Sequence, residues 1–96
     1  MEVILNGNNI LSESDFYDEL KKIHPDFGYY FGRNLNALRD YVGLLDGYTI
    51  RWVNYKYSKE KLKDNFEVII NIFHEYNENI LNNGLNKDGM IKLVLC

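Results

Sequence analysis

The chain has 96 residues, 46% of them hydrophobic and 15% aromatic, which is enough for one core in a single unit spanning residues 1–96 and excludes a disordered chain. Its 11 Lys and Arg stand against 14 Asp and Glu, a net charge of -3; that is the wrong sign for a general nucleic-acid binder, which needs cations to displace counterions from phosphate, and it suits a basic partner. The lone cysteine, Cys96, excludes an internal disulfide, no Cys/His cluster has metal-ligand spacing, and no apolar run reaches the roughly 20 residues of a membrane-spanning helix.

The start, Met1-Glu2-Val3-Ile4-Leu5, lacks the basic stretch and small-residue cleavage site of a signal peptide, so a cytoplasmic protein is expected. Glu2 to Leu5 reads as a first strand, ended by Asn6-Gly7-Asn8-Asn9, with Gly7 free to take positive φ. Ser12 or Ser14 caps a first helix, whose core face is Phe16, Leu20 and Ile23 and which Pro25 ends. Phe27 to Gly32 reads as an aromatic loop, with Phe31 turned inward to cover the sheet. Asn34 caps a second helix from about Leu35 to Leu44, with Leu35, Leu38, Val42 and Leu45 as its apolar stripe.

Tyr48 to Val53, centred on Trp52, reads as the second strand. Ser58 is placed as the cap of a short helix running to Lys63. A long helix follows, about Asn65 to Leu81, with Phe66, Ile69, Ile70, Phe73, Tyr76 and Ile80 on one face, and Asn82-Asn83-Gly84 closes it. Met90 to Leu95 is the last strand. Strands separated by helices predict an α/β fold, a three-stranded parallel sheet packed with about four helices.

The second helix has the most informative pattern. Opposite its apolar stripe, Asn36, Arg39, Asp40 and Gly43 form a polar ridge with a gap at Gly43 where a partner could approach. Periodicity alone does not separate this ridge from the solvated face of any amphipathic helix. The aromatic loop ahead of it adds weight, because Tyr and Trp are enriched where proteins bind one another.

Enzyme readings find little support. His24 and His74 are far apart, no serine sits in a nucleophile turn, and the glycines form no phosphate loop. Asp40 and Glu75 could form a carboxylate pair for acid–base work, but the sequence does not fix their distance. Lys59, Lys61 and Lys63 lie near Tyr55 and Tyr57, but Glu60, Asp64 and Glu67 dilute them into a solvated helix face rather than a nucleic-acid patch.

The run Tyr30-Phe31-Gly32-Arg33-Asn34-Leu35-Asn36-Ala37-Leu38-Arg39-Asp40 resembles the signature of the barstar family: an aromatic pair, Gly, any residue, then Asn-Leu-Asp-Ala-Leu-Trp-Asp. Val3-Ile4-Leu5-Asn6-Gly7 is similar to that family's first strand and turn, and Phe73-His74-Glu75 to a Phe-Arg-Glu motif in its last helix. The resemblance implies a small intracellular inhibitor, with no cofactor or metal, that puts its second helix and the preceding loop into the active site of a basic, secreted, microbial ribonuclease in a 1:1 complex.

By that match Asp40 takes the place of a substrate phosphate, and Tyr30 packs near the catalytic histidine. Asn34, Asn36 and Gly43 line the contact, and Glu75 makes a peripheral ion pair. Two positions depart from the signature. Asn36 stands for its aspartate and Arg39 for its tryptophan, so the ridge is two charges more positive and Arg39 is placed to shield Asp40. Arg33, at a variable position, is expected to matter less. The alternative is a barstar-like protein-binding or immunity module with a target other than a ribonuclease; a small enzyme and a homodimer through the aromatic loop remain open.

Overall fold

Parallel strands cannot be joined by hairpins, and here each crossover is a pair of helices. The computed structural model describes residues 1–28 and 31–96. In chain order they form β1 (Glu2–Asn6), α1 (Glu13–Ile23), α2 (Leu35–Tyr41), β2 (Thr49–Val53), α3 (Tyr55–Leu62), α4 (Asp64–Asn82) and β3 (Lys92–Leu95), with short 3₁₀ turns between them. The sheet order is β1-β2-β3, both pairs parallel, with Leu5 opposite Trp52 and Trp52 opposite Leu95. The predicted three-stranded parallel sheet with four helices is therefore the observed architecture.

Side chains alternate across the pleat. Leu5, Ile50 and Trp52 face inward and are fully buried, whereas Ile4 and Arg51, paired in register, face out, Ile4 being 61% exposed. Onto the inner face pack Phe16 and Leu20 of α1, Leu38 of α2, and Phe66, Ile69, Ile72 and Phe73 of α4, in one contiguous core. Ile72 belongs to that core and Ile70 is only half-buried, so the apolar face of α4 is rotated slightly from the stripe read in the sequence.

Local chemistry sets the element ends. Ser12, not Ser14, caps α1: its hydroxyl accepts from the Asp15 N–H at 3.2 Å, and the Asp15 carboxylate accepts from the Leu11 N–H at 3.0 Å. Acids in the first turn and Lys21 and Lys22 in the last complement the helix dipole. Helix α4 closes by a double bond pattern, Leu85 N–H to the Ile80 carbonyl at 3.0 Å and Gly84 N–H to the Leu81 carbonyl at 3.4 Å, with Gly84 at φ +65°. Beyond it, the Asn77 side-chain amide exchanges two 2.8 Å bonds with the backbone of Ile91 and so aligns the entry to β3. That strand begins at Lys92 rather than Met90, because the Met90 N–H bonds back to the Lys87 carbonyl and the Ile91 backbone bonds to the Asn77 side chain instead of to β2.

Three expectations are corrected. Ser58 caps nothing. Helix α3 starts at Tyr55 after Asn54, which adopts φ 54°, and Ser58 is buried one turn inside. Its hydroxyl accepts from Trp52 Nε1 at 3.0 Å and donates to the Gly7 carbonyl at 2.9 Å. Gly7 is not at positive φ; it is glycine because a Cβ there would lie 2.4 Å from the Asn54 carbonyl oxygen. Helix α2 ends at Tyr41, and Val42–Leu45 tightens into a 3₁₀ turn. That turn still points Val42 and Leu45 into the core as the stripe required.

Ser58→Ala leaves the buried Trp52 N–H without its acceptor, and unfolding in urea is expected to show a loss of about 1–3 kcal/mol. A second expectation concerns alkali. Burial, reinforced by a hydrogen bond to Glu13, raises the pKa of Tyr17 far above its ordinary 10.0. The unfolded chain then gives up that proton first, so the stability it contributes is complete below pH 10 and is lost as pH rises past it. Urea midpoints between pH 8 and 11 should fall for the native chain and fall less steeply for Tyr17→Phe.

Candidate partner-binding site

The chain approaches α2 through a backbone that side chains hold in place. Gly32 (φ +87°) and Arg33 (φ 51°) turn it sharply, and Asn34 then takes an extended conformation and caps α2, its Oδ1 accepting from the Ala37 N–H at 2.8 Å. Its amide nitrogen also donates to the Gly32 carbonyl at 3.1 Å. Phe31 is turned inward as expected, stacked edge-on against Phe27 and Tyr17 at 5.1 Å. Phe31 thus anchors the chain in the core shortly before α2.

That outer face is the ridge read from the sequence. Asn36, Arg39, Asp40 and Gly43 are all exposed, while Leu38, Val42 and Leu45 are buried beneath them. Tyr30, assigned to the same edge by resemblance, lies outside the described residues. Glu75 comes from α4, whose exposed side meets the ridge across a small groove of about 170 Å³ lined by Arg39, Val42, Ile72, Glu75, Tyr76 and Asn79. A second, shallower hollow of about 370 Å³ lies beside Asp40, Tyr41, Gly43 and Leu44.

The charges on this face have a definite arrangement. Arg39 donates from Nη1 to the Asn36 side-chain Oδ1 at 3.3 Å, and its Nε lies 3.9 Å from a Glu75 carboxylate oxygen. Arg39 is therefore engaged with Asn36 and Glu75, and the expected shielding of Asp40 by Arg39 is not the pairing found. Arg33, on the other side, reaches back to α1, with Nη2 2.9 Å from an Asp18 carboxylate oxygen. Among the described residues no hydrogen bond or ion pair reaches the Asp40 carboxylate. It also sits in the last turn of α2, where the helix dipole disfavours an anion.

Gly43 and Tyr76 complete the face. A Cβ on Gly43 would meet the Tyr76 ring at 3.6 Å, an ordinary contact, and the backbone is not at positive φ. Neither crowding nor strain requires glycine there, and its missing side chain leaves the Tyr76 ring uncovered on that side. Burial, and then the nearby Asp46 carboxylate, raise the Tyr76 phenol pKa, so it stays a neutral hydrogen-bond donor. The sequence reading placed Tyr76 in the apolar stripe and passed over Asn79. The signal that would have found Asn79 is its position one helical turn after Glu75.

The other candidates stay apart from this face. Lys59 lies over the Phe66 ring at 5.9 Å and Lys61 over the Tyr57 ring at 5.5 Å, so aromatic rings of the same chain meet both cations. His24 caps the turn at Pro25 by accepting from the Asp26 N–H at 3.2 Å. Among the described residues no group of three His, Cys, Asp or Glu could hold a metal ion, and no helix is long and apolar enough to cross a membrane.

Comparison with known proteins adds one positive finding. No curated protein matches the chain. The family described as Barstar (barnase inhibitor) matches residues 1–94 of the 96. Because that match runs from the first residue into β3 and takes in the whole of the ridge, the chain belongs to the barstar family, a family of ribonuclease inhibitors.

Proposed function

We propose that the chain inhibits a barnase-type ribonuclease by laying the α2 ridge over its phosphate-binding cleft, one inhibitor to one enzyme, with the Asp40 carboxylate in the place of a substrate phosphate. An enzyme that cleaves RNA gathers cationic donors around the scissile phosphate. A carboxylate fixed on a helix offers them short, charge-assisted hydrogen bonds. The observation that carries this reading is the Asp40 carboxylate itself, exposed at the unfavourable end of a helix dipole with no partner among the described residues. Its flanking arginines do not cancel it, being engaged with Asp18 on one side and with Asn36 and Glu75 on the other.

Asn34, Asn36, Gly43, Tyr76 and Glu75 then form the rest of the contact. Tyr30 is carried into it by resemblance alone. Glu75 enters the complex already paired with Arg39. The pair is loose and exposed, worth at most about 1 kcal/mol, and an enzyme cation can take Glu75 over at little cost. The chain acts in this reading as a binding protein and not as an enzyme. A second reading keeps the surface and changes the target. Neutral Asn36 and cationic Arg39 make the ridge less acidic, which favours a partner less cationic than a phosphate cleft; in that case the protein captured from the host would not be a ribonuclease.

Titration into an RNA-cleavage assay with barnase tests the first reading. Stoichiometric inhibition is expected, and Asp40→Ala should raise Kd at least about tenfold, the equivalent of one charge-assisted hydrogen bond. The same variant should unfold at the same or a slightly higher urea concentration, because among the described residues no hydrogen bond or ion pair is lost with the carboxylate. Inhibition undiminished by Asp40→Ala would remove the phosphate-mimic role. Arg39→Ala makes the ridge more acidic by one charge and should speed association with a basic ribonuclease severalfold at low salt, a gain that disappears as ionic strength rises.

A further inference from the structure

The residue expected to matter least in the signature run is the most heavily engaged one outside the core. Arg33 holds φ 51°, a left-handed conformation that side chains other than glycine rarely adopt. Such a conformation persists only where the surroundings enforce it, and such sites cluster at ligand clamps. Here the enforcement is visible. The two N–H groups of Arg33 Nη2 are shared among three acceptors, the Ser14 carbonyl at 2.8 Å, the Ser14 hydroxyl at 2.9 Å and Asp18 at 2.9 Å. Its guanidinium also lies over the Tyr17 ring, 5.8 Å from the centroid. Tyr17 is tied on to Glu13 and packs edge-on against Phe31. One side chain thus fastens the turn ahead of α2 to α1, immediately before the Asn34 cap that sets the start of the ridge.

We propose that Arg33 is a positioning residue for partner binding: it latches the turn at Gly32–Asn34 onto α1 and so holds the N-terminal edge of the ridge, Asn34 and Asn36, in its binding arrangement before the partner arrives. This rests on the ribonuclease reading for the identity of the partner, but not for the latch. Binding surfaces that are ordered in advance do not lose affinity to the ordering of loops and side chains. The latch is also an economy of charge. Turned back onto Asp18 along the surface of α1, Arg33 directs its charge away from the ridge.

Arg33→Gly accepts φ 51° without strain but also frees the backbone, so it is read beside Asp18→Asn, which removes an acceptor of the latch and leaves the backbone unchanged. Amide hydrogen exchange of the free protein should speed up about fivefold or more from Gly32 to Leu38, while β2 and α4 keep their protection. Against barnase, the dissociation rate should rise about tenfold, as expected when an ordered edge must be re-formed in each complex. Arg33→Lys keeps the charge and should give native association with intermediate dissociation. Asp18→Asn should act in the same direction as Arg33→Gly and add nothing to it when the two are combined, a coupling that a general loss of stability would not produce.

Unchanged exchange in Arg33→Gly overturns the latch, whatever the binding result. Faster exchange with an unchanged dissociation rate overturns its role in binding, as does a lowered urea midpoint as the sole effect. If the native chain does not inhibit barnase at all, the ribonuclease reading fails together with the role in that complex, and the exchange data separate this failure from failure of the latch.

Discussion

A buried indole must bring its N–H to an acceptor, and in this chain that requirement joins most of the structure. Trp52 stands at the centre of the sheet with no exposure. It stacks on Phe16 of α1 with ring centroids 5.4 Å apart and meets Phe66 of α4 at 5.2 Å. Its N–H finds Ser58 on α3, and Ser58 passes the bond on to the Gly7 carbonyl after β1. Five elements thereby converge on one side chain. An unsatisfied donor at this depth would cost a sizeable part of a small domain's net stability. Gly7 has to be a glycine for the same reason, since the chain can bring its carbonyl to Ser58 only by passing against the backbone of Val53 and Asn54.

With the sheet and three helices fixed in this way, α2 is left to do something else. It is 7 residues long, too short to be stable on its own. Its persistence depends on Leu38, on Val42 and Leu45 in the turn that follows, and on the Asn34 cap. Among the described residues its close contacts are on its inner side and at its ends, and the outer ridge adds only the loose pairing of Arg39 with Asn36 and Glu75. Asp40 shows the consequence most clearly. Its carboxylate is exposed and meets no hydrogen-bond or ion-pair partner among the described residues.

The two arginines that flank this ridge show how one charge type serves two purposes. Arg39 lies on the ridge and is engaged loosely with Asn36 and Glu75, at distances a partner can displace. Arg33 lies just before it and is engaged closely with α1. Counting charges along the sequence treats the two alike. Geometry makes Arg33 part of the support and Arg39 part of the surface.

The sequence by itself determined the order of elements, the parallel sheet, the inward turn of Phe31, and the exposed set Asn36, Arg39, Asp40 and Gly43. Those follow from hydrophobic periodicity and from caps whose chemistry is local: Ser12 and Asn34 bond to N–H groups three residues away. It determined the family as well, because the signature run is contiguous. Tertiary structure alone decided the role of Ser58, whose partners are 6 and 51 residues away. It also decided the reason for Gly7, the pairing of Arg39 with Glu75 across two helices, and the fastening of Arg33 to residues 15 and 19 positions earlier. The dividing line is physical. Periodicity and capping act within a helical turn and can be read along the chain. Hydrogen bonds and ion pairs between distant segments depend on how those segments pack, and no local pattern encodes which carboxylate an arginine will meet.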